Sequence, residues 1–326
     1  MQIKLTDTEL QELRYLASLL TVNPVEHPSR HCKQSKNLST MIPRRIYSLL
    51  HDFANNGSKT GFLLFSNLNF DEFIPETPDN NNMNIGINTI LSRVQSILLS
   101  SMAELISYEA ECNGVLFQDI VPMKEMERIQ TSTSSMTELE IHTEQAFSLL
   151  KPDILSLACL RGCDEAMTYI LTVDSIFQCV SLDELEKLLK PLWLIEVDQS
   201  FKQKDGSNNF LNGNVRGPMS ILRGTIMDPT LVFDQDLIKG LTKEATELIE
   251  KIVKIYYNHR TAYSLQTGDI MFIDNNRAVH GRSSFSPLYN GNDRFLIRAF
   301  GTKNLKCSEY ARTNTLNDRM VLSIYS

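Results

Sequence analysis

The stretch DIMFIDNNRAVHGRSSF, Asp269 to Phe285, reads as two short apolar strands joined by an Asn275-Asn276 turn, with His280 near the end of the second strand. Short β-favouring runs bounded by Gly, Asn, Asp and Pro recur on both sides of the chain: GVLFQDIVP (114–122), ILSLACLR (154–161), PLWLIEVD (191–198), MSILRG (219–224) and RFLIRAFG (294–301). They do not alternate regularly with helices, as a doubly wound parallel sheet would require, and no GxGxxG or GxxxxGK[ST] motif is present. The pattern predicts mixed α and β structure, a sandwich or jelly roll with helices packed outside it.

Helical signals frame these strands. Thr6 and Glu9 form a capping-box pattern ahead of Leu10, Leu13, Leu16 and Leu20 at helical spacing. A second helical face runs through Ile90, Leu91, Val94, Ile97, Leu98, Met102 and Leu105, and residues 21 to 60 show no clear period apart from the start of the buried-strand run GFLLFSNL at Gly61. PETPDNNNMN (75–84) is a surface loop. Later helices are expected from Ser181 to Lys190, with a Ser181/Glu184 box and Pro191 as terminator, and from about Thr242 onward. The polar stretch KQKDGSNNFLNGNVRG (202–217) is a long loop of the kind that often serves as a lid. With no linker or internal repeat, residues 1–326 are expected to form a single domain, a helical part of about 1–110 packed on a β core.

The composition, 42% hydrophobic and 22% charged, is that of a globular protein, and a net charge of -7 argues against a nucleic-acid binder. A small-molecule partner is the better expectation. No stretch approaches the roughly 18 to 20 apolar residues of a membrane span, so the expected location is cytoplasmic. The six cysteines are scattered, and Cys159 and Cys163 lack a second pair to complete a zinc site; free thiols are expected.

Of the six histidines, His27, His31, His51 and His259 need no functional account. His142 lies two positions before Glu144 in IHTEQAF (141–147), a spacing that puts both side chains on one face of an extended strand. With His280 they make two histidines and one carboxylate, a facial triad that leaves three of six octahedral positions open. Arg294 and Arg298 lie fourteen and eighteen positions after His280, with Leu296 on the same strand face. Two arginines on one short strand face are costly to bury unless they meet anions, and a guanidinium fork matches a carboxylate. Solvated salt bridges are the plainer reading of that pair.

Together, GFLLFSNL, ECNGVLFQDIVP, HTEQAFSLLKPDILSLACLRG, GPMSILRGTIMDP and GDIMFIDNNRAVHGR resemble, in the same order along the chain, blocks of the Fe(II)/2-oxoglutarate-dependent dioxygenases. The likeness is to the clavaminate synthase-like branch that hydroxylates free amino acids, and it covers roughly residues 60 to 300. It implies a double-stranded β-helix (jelly roll) core with surrounding helices, and Fe(II), 2-oxoglutarate and O2 as cofactor and cosubstrates. It implies iron ligation by His142, Glu144 and His280, and 2-oxoglutarate binding by Arg294 and Thr168, with Thr172 a neighbouring alternative. Arg298 would take the substrate carboxylate and Glu111 would lie near its α-amino group. Asp234 and Asp236, in LVFDQDL (231–237), match acids that contact cationic side chains in arginine-type members. The implied reaction is hydroxylation of an unactivated C–H of a free L-amino acid, lysine or arginine foremost, with release of succinate and CO2. Halogenating relatives replace the ligand carboxylate by a small residue; Glu144 is present, so oxygenation is expected. Ile141, Ala146 and Phe147 are expected to form a dry wall by the metal. Asparagine or glutamine, a carrier-bound amino acid, desaturation or cyclisation stay open, as does, more remotely, a jelly-roll binding protein without oxygenase activity.

Overall fold

The computed structural model describes residues 1–202, 214–225 and 227–325. Its centre is two facing sheets. The larger orders its strands as Gln2–Lys4, Phe62–Ser66, Ile270–Asp274, Ile154–Arg161, Phe295–Thr302, Glu104–Tyr108 and Met320–Val321, with Phe117–Ile120 pairing beside Phe295–Thr302. The smaller runs Thr261–Ser264, Met167–Thr172, Ala278–Arg282, Leu139–His142. This is the jelly-roll core expected from the strand pattern, and the Asn275-Asn276 turn carries the chain from the larger sheet to the smaller.

Period-two alternation sorts side chains into three cores. Leu63, Phe65, Ile270, Phe272, Ile297 and Ala299 face the N-terminal helices. Their strand neighbours Phe62, Leu64, Met271, Ile273, Leu296 and Phe300 fill the space between the sheets. On the outer face of the smaller sheet, Ile141, Leu171 and Val279 meet the helix Lys243–His259 through Ala245, Leu248, Ile252 and Tyr256. Trp193, fully buried, ties that helix down by donating its indole N–H to the Ala245 carbonyl at 3.1 Å.

The caps read from sequence are formed. Thr6 opens the helix Asp7–Leu19 and Ser181 opens Leu182–Leu188, each with both halves of its capping box. Thr89, not among the expected caps, also caps Ile90–Met102. That last helix stops at Met102, and Leu105 belongs to the strand Glu104–Tyr108. Residues 21–60 hold two helices, Pro28–Ser39 and Arg44–Asn56. The first shows no apolar period because it packs through hydroxyls: Ser35 Oγ lies 2.9 Å from Ser96 Oγ and 3.0 Å from Ser100 Oγ, and His31 Nε2 lies 2.9 Å from Ser96 Oγ. A short helix, Val173–Cys179, also escaped the sequence pattern. MSILRG divides between the strands Val215–Met219 and Leu222–Thr225. Most of the expected lid, 203–213, lies outside the described residues, and its last residues, from Val215, are strand. All six cysteines are free, and no described helix is long and apolar enough to cross a membrane.

The first helix is also anchored by charge. Arg45 grips Glu9 with two bonds, 2.7 Å from Nε and 2.6 Å from Nη2, while Glu9 accepts from the Thr6 backbone at 2.8 Å. The Arg45 hydrogen bond pulls the Glu9 carboxyl down to about 2, against the opposing effect of burial. A depressed carboxyl adds stability above its unfolded value of 4.5 and loses it as pH falls toward 2. Glu9→Gln is expected to lower stability by about 1 kcal/mol at pH 7. The melting-temperature gap to the parent should close between pH 4.5 and 2; a gap that persists at low pH would show that the ion pair is not its source.

Candidate active site

The site forms where the strand Leu139–His142 ends. Antiparallel pairing sets His280 directly opposite His142, and their rings lie 4.4 Å apart between centroids. Gly281 lets the strands approach this closely: a Cβ there would stand 2.7 Å from the Leu139 carbonyl oxygen and 2.8 Å from the Tyr256 hydroxyl. Contrary to the expectation of a shared strand face, Glu144 lies past the strand, in a turn whose next residue, Gln145, has φ 52°. Backbone clamps place it. Thr143 N–H donates to the Phe233 carbonyl at 2.7 Å, and buried Asn275 accepts from Glu144 N–H at 2.7 Å. Asn275 Nδ2 in turn donates to the carbonyls of Glu144 at 3.2 Å and Pro152 at 2.7 Å.

One donor atom from each of His142, Glu144 and His280 lies within 4.8 Å of the others. Among the described residues this is the one group of three or more His, Cys, Asp or Glu so disposed. The surroundings prepare the protonation states that a metal needs. Burial pushes His280 toward the neutral imidazole. Burial also opposes charge on Glu144, but Arg298 and the two histidines outweigh it and hold the carboxyl well below its ordinary range. His142 Nδ1 lies 2.8 Å from the Glu140 carbonyl oxygen, an outer hydrogen bond that fixes the ring and frees Nε2. Two nitrogens and one carboxylate on one side, with room opposite, fit a ferrous ion.

Two cavities meet at these residues, both lined by His142, Glu144, Arg298 and Ser132. The narrower one holds Thr168, His280, Arg282 and Arg294 among Leu155, Leu157 and Leu296. Arg294 is 7% exposed, makes no ion pair or hydrogen bond among the described residues, and burial lowers its pKa. A buried guanidinium without a counter-charge is a costly state that an anionic ligand relieves. Thr172 is elsewhere: it caps the helix Val173–Cys179.

The wider cavity, about 220 Å³, is lined by Glu111, Glu140, Asp198, Asp234 and Asp236. Asp234 arrives there because its segment is zipped to the metal segment, bridging His142 and passing Gln235 N–H to the Ile141 carbonyl at 2.9 Å. Burial raises the Asp234 carboxyl to about 6, with His142 opposing. Arg298 is ion-paired with Glu111 and lies 3.4 Å from Glu144. Gln118, opposite it in register, accepts from Arg298 Nε at 2.9 Å and Nη2 at 2.6 Å. All nine residues singled out in the sequence therefore line one or other cavity. Of the expected dry wall, Phe147 lines the wider cavity, whereas Ile141 packs toward the outer helix and Ala146 into the core between the sheets.

Sequence reasoning missed Gln118, Gln145, Arg282 and the clamp Asn275. Arg282 is 4% exposed and is held by carbonyls, 2.6 Å from Ser134 O and 3.3 Å from Thr137 O, so that it tethers the loop that brings Ser132 over both cavities. Its place two after His280 and the repeated asparagine of the turn were the available signals.

Residues 220–300 match the family model described as taurine catabolism dioxygenase TauD, TfdA family. The chain is 39% identical over 310 residues to an L-lysine 3-hydroxylase of Catenulispora acidiphila, covering 95% of this chain and 86% of that one. It is 27% identical over 298 residues to clavaminate synthase 2 of Streptomyces clavuligerus, covering 89% and 88%. Among solved structures, an asparagine oxygenase in complex with Fe(II), 2S,3S-3-hydroxyasparagine and succinate matches with a TM-score of 0.89 over 98% of this chain and 99% of that one, at 24% identity. This last likeness establishes the fold.

Asn275→Ala removes three buried hydrogen bonds at the turn that carries Glu144. The expected cost is about 2 to 4 kcal/mol in thermal or denaturant unfolding, with a roughly 10- to 100-fold loss of divalent-metal affinity. Unchanged metal affinity in a destabilised variant would show that Glu144 holds its place without the clamp.

Proposed function

This chain belongs to the clavaminate synthase-like branch of the Fe(II)/2-oxoglutarate-dependent dioxygenases, and from that premise we propose that it hydroxylates an unactivated C–H bond of a free basic L-amino acid, lysine foremost. The observation that carries the substrate class is the wide cavity beside the donor set, where, among the described residues, five carboxylates besides Glu144 face the single cation Arg298. A neutral amide side chain gives such a wall nothing to neutralise, whereas an ammonium or guanidinium offsets it. The 39% identity to a lysine 3-hydroxylase supports the same choice. The reading takes residues 1–326 as one catalytic domain, supported by the larger sheet, which includes both Gln2–Lys4 and Met320–Val321.

In this reading His142, Glu144 and His280 hold the iron, and the retained carboxylate of Glu144 favours oxygenation over halogenation. With iron and 2-oxoglutarate bound, the oxidant would be O2: two electrons would come from 2-oxoglutarate as it becomes succinate and CO2 and two from the substrate C–H, one oxygen atom ending in succinate and the other in the hydroxylated product. Arg294, alone in an apolar pocket, pairs with the distal carboxylate of 2-oxoglutarate, and Thr168 adds a hydroxyl. Arg298 takes the substrate carboxylate, held in its rotamer by Gln118. Glu111 receives the α-ammonium, and Asp234 with Asp236 receives the side-chain cation. Positioning then selects the carbon, since the C–H nearest the metal reacts.

Anaerobic addition of Fe(II) and 2-oxoglutarate should give a visible charge-transfer band that is lost in the Glu144→Ala/His280→Ala double variant. Succinate release across the free amino acids should be greatest with lysine and arginine, and Asp234→Asn should raise KM for the preferred one roughly 30-fold, about 2 kcal/mol of lost charge pairing. Background turnover of both basic amino acids beside active asparagine or glutamine would sink the basic-substrate assignment.

A further inference from the structure

Gln145 is a residue to which the reading above gives no task. It follows Glu144 in a left-handed backbone conformation, φ 52°, which a non-glycine residue adopts only where its surroundings demand it. The turn itself is closed by backbone, Ser148 N–H donating to the Gln145 carbonyl at 2.8 Å, so the side chain is not needed to form it. That side chain is 6% exposed, lines the wider cavity, and donates from Nε2 to Glu111 Oε1 at 3.0 Å. Its Oε1 is buried and meets no donor among the described residues. Turning the amide over would set that oxygen against the Glu111 carboxylate, so the polarity of the pair is determined.

We propose that Gln145 is a specificity-determining residue for the α-amino end of the substrate, its Oε1 accepting one N–H of the α-ammonium that Glu111 receives. This rests on the free amino acid reading above and extends it to a residue that reading does not use. A carboxylate offers about four acceptor sites; on Glu111 one is taken by Gln145 and one by Arg298. An ammonium has three donors, so the remaining Glu111 sites and the empty Gln145 oxygen suit it together. An acceptor-only group would meet lone pairs on both sides. Because Gln145 is the next residue after Glu144, the backbone that carries the metal carboxylate also sets where the amino end sits. The distance from that end to the reacting carbon is thereby held within one short segment.

The test is calorimetric binding under anaerobic conditions to protein loaded with Fe(II) and 2-oxoglutarate, comparing L-lysine with 6-aminohexanoate, which lacks the α-amino group. Gln145→Met keeps the length of the side chain and removes both its acceptor and its donor; Gln145→Glu keeps an acceptor. For Gln145→Met we expect lysine to bind at least tenfold more weakly, with 6-aminohexanoate changed less than about twofold, as loss of one hydrogen bond to a charged group dictates. Gln145→Glu should restore part of the lysine affinity, and Fe(II) affinity, measured separately, should hold in both variants. Equal weakening of the two ligands, no weakening of lysine, or loss of Fe(II) overturns the proposal. Parent protein that binds no free amino acid overturns the substrate reading, and this assignment with it.

Discussion

The register that sets His280 against His142 is the constraint on which the rest of the site depends. A slip of one residue would turn every side chain on that strand to the opposite face, sending the histidine into the outer core occupied by Val279. The register is enforced on both flanks: Ala278–Arg282 pairs with Met167–Thr172 as well as with Leu139–His142, and Gly281 permits the close approach. Asn275 then fastens the turn entering this strand to the backbone of Glu144. Two ligands come from paired strands and the third from a turn, yet one network holds all three.

Three buried arginines near the site meet the cost of their charge in different ways. Arg282 is solvated by backbone carbonyls and a serine hydroxyl and serves as a structural tether. Arg298 has acidic partners and a glutamine that holds its fork. Arg294 has neither among the described residues, and its charge stays uncompensated in a largely apolar pocket. Burial alone would have grouped the three. Their partners separate one held by backbone carbonyls, one held by acids and a glutamine, and one without an ion pair among the described residues.

What was readable in the chain followed periodicity and motif. Strands with alternating or continuous apolar runs were legible, as were the helices opened by Thr6 and Ser181, because their capping boxes are local, and those after Thr89 and Thr242, because their apolar faces repeat at helical spacing. The helix Pro28–Ser39 was illegible because Leu38 is the one large apolar residue among His31, Cys32, Ser35 and Ser39 on its buried face, and His31 and Ser35 find their partners 61 to 65 residues away on the helix Ile90–Met102. Gln118 was illegible because its importance is that it faces Arg298, 180 residues away.

The residue types in IHTEQAF and DNNRAVHGR, and the arginines that follow, already carry the donor set and the cofactor chemistry, since a metal's needs are written in side-chain identity and the order of motifs. Which acids line the wider cavity, which arginine has no ion pair among the described residues, and that Glu144 hangs from a turn instead of a strand follow from contacts between segments far apart in the chain. Gln145 shows the difference most plainly. As a letter it is one more polar residue in an apolar run, and only folding, by filling its amide N–H with Glu111 and leaving its oxygen empty, gives it a direction and a ligand to match.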